Sequence, residues 1–134
     1  MMELKSPSKD EVNVENAYNQ LRNYMQDIPS MFYYNAICVI SDLSINKAGT
    51  ITSGLDRFME WKTKDGNIEN TALAHFDTFY EGMFSKERLL DIIRNFILFS
   101  NDGKKPAKIL AGYHQYFAVH KAIEKAKTAT KTDG

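Results

Sequence analysis

Cysteine, proline and histidine are scarce in this chain: one, three and three residues respectively. A single cysteine, Cys38, excludes an internal disulfide framework, and its place in the apolar run Ala36 to Ile40 makes it a core filler. His75, His114 and His120 stand at no Cys/His spacing that suits zinc, so all three are expected to be non-ligands. Long apolar runs are also missing. Nothing approaches the roughly 18 residues of a membrane helix, and Met1-Met2-Glu3-Leu4-Lys5 carries no apolar signal region. A cytoplasmic protein without a membrane partner is expected. Charge of one sign is absent as well: 17 basic residues balance 17 acidic ones. That excludes an autonomous protein that coats DNA through a general positive field.

What is present is core-forming material. Hydrophobic residues make up 43% and aromatics 12% of the chain, which excludes a disordered composition. Glu3-Leu4-Lys5 reads as the end of a strand, broken by Ser6-Pro7-Ser8. Val14, Ala17, Tyr18, Leu21, Met25 and Ile28 then recur at helical steps, one buried stripe that Pro29 ends. The apolar run from Tyr33 to Ser41 predicts a buried strand. Gly49 to Ser53 and Arg57 to Lys62 predict two more, and Asp65-Gly66-Asn67 a turn. Ala72 to Gly82 predicts a helix. Ser85 is placed to cap another, with Leu89, Ile92, Ile93 and Phe96 on one face. Phe96 to Phe99 is open to a strand reading before the Asn101-Asp102-Gly103 turn, and Tyr113 to Lys127 predicts a last helix. The fold class is mixed α/β, read as two half-domains joined near Asp65 to Leu73.

Two local patterns carry chemistry. Glu3 and Lys5 form an E-x-K pair, and residues two apart on a strand point to the same side. A carboxylate oxygen there suits Mg²⁺, and a neighbouring lysine suits developing negative charge. Gln20 and Tyr24 lie four apart on the first helix, so an amide and a phenol project together beside the core stripe.

The run from Glu3 to Ser8, followed by Glu15-Asn16-Ala17-Tyr18-Asn19-Gln20-Leu21-Arg22-Asn23-Tyr24, resembles the R subunit of type I restriction enzymes. These enzymes use a nuclease of the PD-(D/E)xK class whose helix carries Q-x-x-x-Y. The resemblance implies that Glu3 is a metal ligand, Lys5 the catalytic lysine, and Gln20 and Tyr24 a pair that positions DNA. The stretch Gly82 to Phe96 is similar to the family's bridge toward its motor. Tyr113-His114-Gln115-Tyr116-Phe117-Ala118 is similar to the Q motif of DExx-type motors, in which Gln115 would recognise the adenine of ATP. Glutamine offers an acceptor and a donor that pair with adenine's N6 and N7 edge, and Tyr113 could lie against the ring.

By that resemblance residues 1–64 are the C-terminal part of a nuclease domain. Residues 65–134 are a mainly helical bridge and the start of a motor. The parent would translocate DNA with ATP and cut it with Mg²⁺, beside specificity and methyltransferase subunits. The sequence departs from the family pattern in two places. The aspartate of the PD motif would lie upstream of Glu3, and no G-x-x-x-x-G-K-S/T string occurs. The chain alone is therefore expected neither to cut DNA nor to hydrolyse ATP, and its exposed apolar faces could drive self-association. The alternative is a small nucleic-acid-binding or interaction module. The basic end, with seven lysines from Lys104 onward against Glu124 and Asp133, reads first as a solvated helix face and a frayed terminus, and alternatively as a contact with phosphate.

Overall fold

The structure, a computed structural model, describes residues 1–4, 14–42, 44–67, 76–101, 103 and 105–130. Strand β1 (Met2–Leu4) leads to helix α1 (Val14–Asp27), then β2 (Cys38–Ser41) and β3 (Asn46–Gly49). Helices α2 (Phe76–Phe84) and α3 (Lys86–Asn95) follow. A hairpin of β4 (Ile97–Ser100) and β5 (Ala107–Leu110) comes next, and helix α4 (Tyr113–Ala129) closes the series. The architecture is mixed α/β with two small sheets, as the composition and periodicity predict.

The first sheet runs β1-β2-β3. β1 pairs parallel with β2, Glu3 opposite Ile40, and β2 pairs antiparallel with β3. Parallel pairing needs a crossover, which α1 supplies by packing on β1 and β2. Most of the stripe read from the sequence does this work: Val14, Ala17 and Leu21 are buried against Cys38 and Ile40, while Ile28 lies past the end of α1 and is exposed. Val39 on the opposite face of β2, and Ile37 just before the strand, join a second cluster with Trp61, Phe79, Met83 and Tyr116. Burial on both faces explains why β2 reads as a continuous apolar run. Residues from both sides of the expected junction near Asp65 share this second cluster.

Several boundaries differ from expectation. The strand predicted over Tyr33 to Ser41 is confined to Cys38–Ser41, because Pro29–Phe32 is a 3-10 helix followed by a turn. Met31 N–H donates to the Ile28 carbonyl and Asn35 N–H to that of Phe32, so these backbone groups are satisfied locally. Tyr33 and Tyr34 are left exposed. Of the strand predicted from Gly49 to Ser53 only Gly49 is paired, as the last residue of β3; the rest is a turn closed by Ser53 N–H on the Thr50 carbonyl. The segment from Arg57 to Lys62 contributes only a bridge between Met59 and Ala48. The described part of the second predicted helix is α2, two residues longer at its C-terminal end than Gly82; residues 68–75, with His75, lie outside the description. α3 begins after Ser85 as expected, though Ser85 makes no side-chain cap bond and Ile93 faces outward.

β5 was invisible in the sequence. Its outer edge is met by hydroxyls in place of a strand. Lys108 N–H donates to Thr52 Oγ1 at 2.8 Å, and the hydroxyls of Thr50 and Thr52 donate to the Lys108 carbonyl at 2.6 and 3.0 Å. These bonds and the shared cluster join the two halves. Arg88 adds a third tie, donating to the carbonyls of Gly82 and Lys64.

Cys38 is fully buried, with Sγ 3.3 Å from the side-chain oxygen of Asn35. Burial pushes its thiol up to about 11. Thiolate is the reactive form, so the folded chain should resist alkylation at pH 8 and react fully in denaturant. A thiol titration with and without urea checks this; stoichiometric labelling of the folded chain would refute it.

Candidate functional site

Strand pairing fixes where Glu3 points. Side chains opposite one another in register share a face, so Glu3 lies with Ile40 on the side covered by α1. Met2 takes the other side, where Tyr80 Oη lies 3.3 Å from its sulfur. On α1, the flank carrying Tyr18 and Arg22 faces the turn after β3. Tyr18 Oη donates to the Ser53 carbonyl and Arg22 to that of Ile51, both at 3.2 Å. Gln20 and Tyr24 project from the opposite flank at helical spacing, both half-buried. β1 is the edge strand on the far side of β2 from β3, so that flank leans toward β1. The carboxylate, the amide and the phenol thus belong to one layer and one edge. Lys5 lies outside the described residues. Among the described residues no three His, Cys, Asp or Glu side chains gather to hold a metal. Glu3 offers one oxygen donor of the kind Mg²⁺ takes beside water and phosphate oxygens.

The second site sits at the head of α4. Gly112 N–H donates to Gln115 Oε1 at 2.9 Å, so the glutamine caps its own helix and turns its oxygen inward. An amide oxygen has a second lone pair, and the NH₂ group remains available. Gln115 lines a groove of 510 Å³ between α3, α4 and the β4–β5 hairpin, walled by Leu98, Ile109 and Val119 among others. The volume suits a small organic ligand. Tyr113 is not brought into this groove. It packs on Trp61, ring centroids 6.3 Å apart, and lines the neighbouring cleft with Lys47, Lys62 and His114.

Three groove residues carried no sequence prediction of a site. Asp91 accepts from Asn95 Nδ2 at 2.6 Å, and His120 Nε2 lies 2.8 Å from its other oxygen. Burial would raise the Asp91 carboxyl, yet hydrogen bonds from Asn95, His120 and Tyr116 outweigh it and hold it below its ordinary range. The Asp91–Asn95 spacing of four on a helix was the available signal. His120 approaches from another helix and gave none.

The fold and these two places define a mixed α/β segment with Glu3 on the edge strand of one layer and a glutamine near the head of a helix on the other. Residues 1–57 match the family described as type I restriction enzyme R protein N terminus. The whole chain aligns over 138 residues, at 34% identity, with the type I restriction enzyme HindI endonuclease subunit of Haemophilus influenzae. It also aligns over 142 residues, at 31% identity and with 93% of the chain covered, with the putative type I restriction enzyme MjaIXP endonuclease subunit of Methanocaldococcus jannaschii. The chain belongs to the R-protein family of type I restriction enzymes. It spans 13% of the length of each of these two curated relatives. Among the described residues no helix is long and apolar enough to cross a membrane.

Proposed function

We propose that this chain is the segment of a type I restriction R protein where DNA cleavage meets ATP-driven movement. The parent translocates DNA with ATP and cuts it with Mg²⁺, working in the cytoplasm beside specificity and methyltransferase subunits. One observation carries the reading: Glu3 and the Gln20–Tyr24 flank belong to one layer at one sheet edge. In this reading the layer is a PD-(D/E)xK nuclease core. Mg²⁺, when bound, polarises the scissile phosphate and favours hydroxide at neutral pH. Glu3 supplies one of its oxygen ligands, and Lys5 stabilises negative charge. Gln20 and Tyr24 hold the DNA backbone by hydrogen bonds, the usual way proteins fix register on DNA. At the other site Gln115 offers its NH₂ and its remaining lone pair to the adenine edge of ATP, in a helicase-like motor. Tyr113 sits one cleft away and supports that motor site through its contact with Trp61.

Replacing the aligned segment of the Haemophilus influenzae subunit by this chain tests the proposal. The chimera, assembled with its partner subunits, should retain ATP-dependent cleavage of unmodified DNA. A correctly assembled chimera that neither cleaves DNA nor hydrolyses ATP would overturn the reading.

A further inference from the structure

The groove beside Gln115 has a polar far end that adenine recognition does not use. Gln115 opens α4, and His120 lies five residues further along it. At about 1.5 Å of rise per residue they are separated by roughly 7.5 Å along the helix axis. That is close to the span from the amino edge of a purine to the hydroxyls of its ribose. Leu98 and Val119 border the intervening space with apolar surface. At the far end the Asp91 carboxylate is held by three donors, Asn95, His120 and Tyr116. A carboxylate has about four lone-pair sites, so these bonds leave capacity for a further donor. Ribose hydroxyls are donors of the kind that carboxylates take in nucleotide sites.

We propose that Asp91, oriented by Asn95 and His120, binds the ribose hydroxyls of a purine nucleotide whose base edge lies at Gln115. The proposal rests on the adenine reading of Gln115 and extends it. Asp91 is then a binding residue, and His120 a positioning residue that acts through it. The groove selects for a ribonucleoside, which a glutamine at the base edge cannot do by itself.

Adenosine, 2′,3′-dideoxyadenosine and guanosine, titrated separately into the 134-residue chain and followed by amide NMR shifts, test this. Adenosine should bind about tenfold more tightly than the dideoxy compound, the scale of a hydrogen bond to a charged group. Asp91→Asn should bring that ratio close to one while leaving dideoxyadenosine affinity unchanged. His120→Gln should lower the ratio in part, and it carries the test if Asp91→Asn does not fold. The proposal is overturned by a folded variant of Asp91 that keeps the full ratio. It is equally overturned if no nucleoside moves the groove resonances at millimolar concentration. The base reading has its own arm. If Gln115→Ala leaves the adenosine-to-guanosine ratio unmoved while Asp91→Asn abolishes the hydroxyl effect, the adenine reading fails and ribose binding stands.

Discussion

Glu3→Gln, placed in a cleaving R protein that carries this segment, is expected to lower DNA cleavage about a thousandfold and leave ATP hydrolysis unchanged. A metal ion stabilises transition-state charge by several kcal/mol, and each 1.36 kcal/mol is about tenfold in rate. Glutamine keeps the shape of the side chain and one oxygen but removes the charge that holds the cation. Lys5→Ala should fall in the same range. Tyr24→Phe removes one hydrogen bond to the DNA backbone, worth about 0.5–1.5 kcal/mol, so its loss should be no more than about tenfold. The ranking matters more than any single value. The α1-facing side of β1 and the groove beside Gln115 lie on different layers, with the Trp61–Phe79 cluster between them. ATP turnover therefore serves as the internal control. Cleavage that persists within a fewfold of normal in Glu3→Gln, with ATP turnover intact, would remove Glu3 from the metal site. Parallel loss of both activities would point to damage to the fold.

The sequence revealed the elements whose side chains answer to a simple period and hid those held by distant partners. α1 was readable because Val14, Ala17 and Leu21 face one sheet at helical steps. β2 was readable as a buried strand, but its start was not. Tyr33 and Tyr34 look like strand residues by type, and only the local bonds after Pro29 turn them outward. β5 shows neither alternation nor a turn signal at its outer edge, because its partners there are two threonine hydroxyls 56 and 58 residues away. The same division holds at the sites. The Glu3 and Gln20–Tyr24 patterns are local and could be read from spacing. The Asp91–His120 contact joins α3 to α4 across 29 residues, and no spacing rule reaches it. Gln115 stands out in the sequence by its chemistry with adenine, while its bond to Gly112, which sets the amide's orientation, exists only in the folded chain.

Trp61→Ala is expected to destabilise the chain by about 3–5 kcal/mol, the range for removing a large aromatic from a packed core. Trp61 is 2% exposed and stands among Tyr113, Tyr116 and Phe117, with ring centroids 5.6 to 6.3 Å away. It comes from the N-terminal half, and these three neighbours come from the C-terminal half. Its loss should therefore weaken both halves together. For a chain of this size, about 1 kcal/mol corresponds to a melting shift of roughly 3–5 °C, so a drop of about 10–25 °C is expected. Trp61→Phe should cost far less. Among the described residues the buried indole Nε1 has no hydrogen-bond partner, and deleting an unsatisfied donor recovers about 1–3 kcal/mol of desolvation, offsetting part of the lost volume. Gly82→Ala tests the same seam from the other side. A Cβ there would meet the Thr63 carbonyl oxygen and Trp61 Cδ1, both at 2.6 Å. That backbone oxygen is fixed, so overpacking of about 1–3 kcal/mol should exceed the gain of about 1 kcal/mol from helix propensity. Calorimetry of the unsubstituted chain should show one transition. Two separated transitions, with Trp61→Ala shifting only one, would mean that the halves melt independently and that the shared cluster does not couple them.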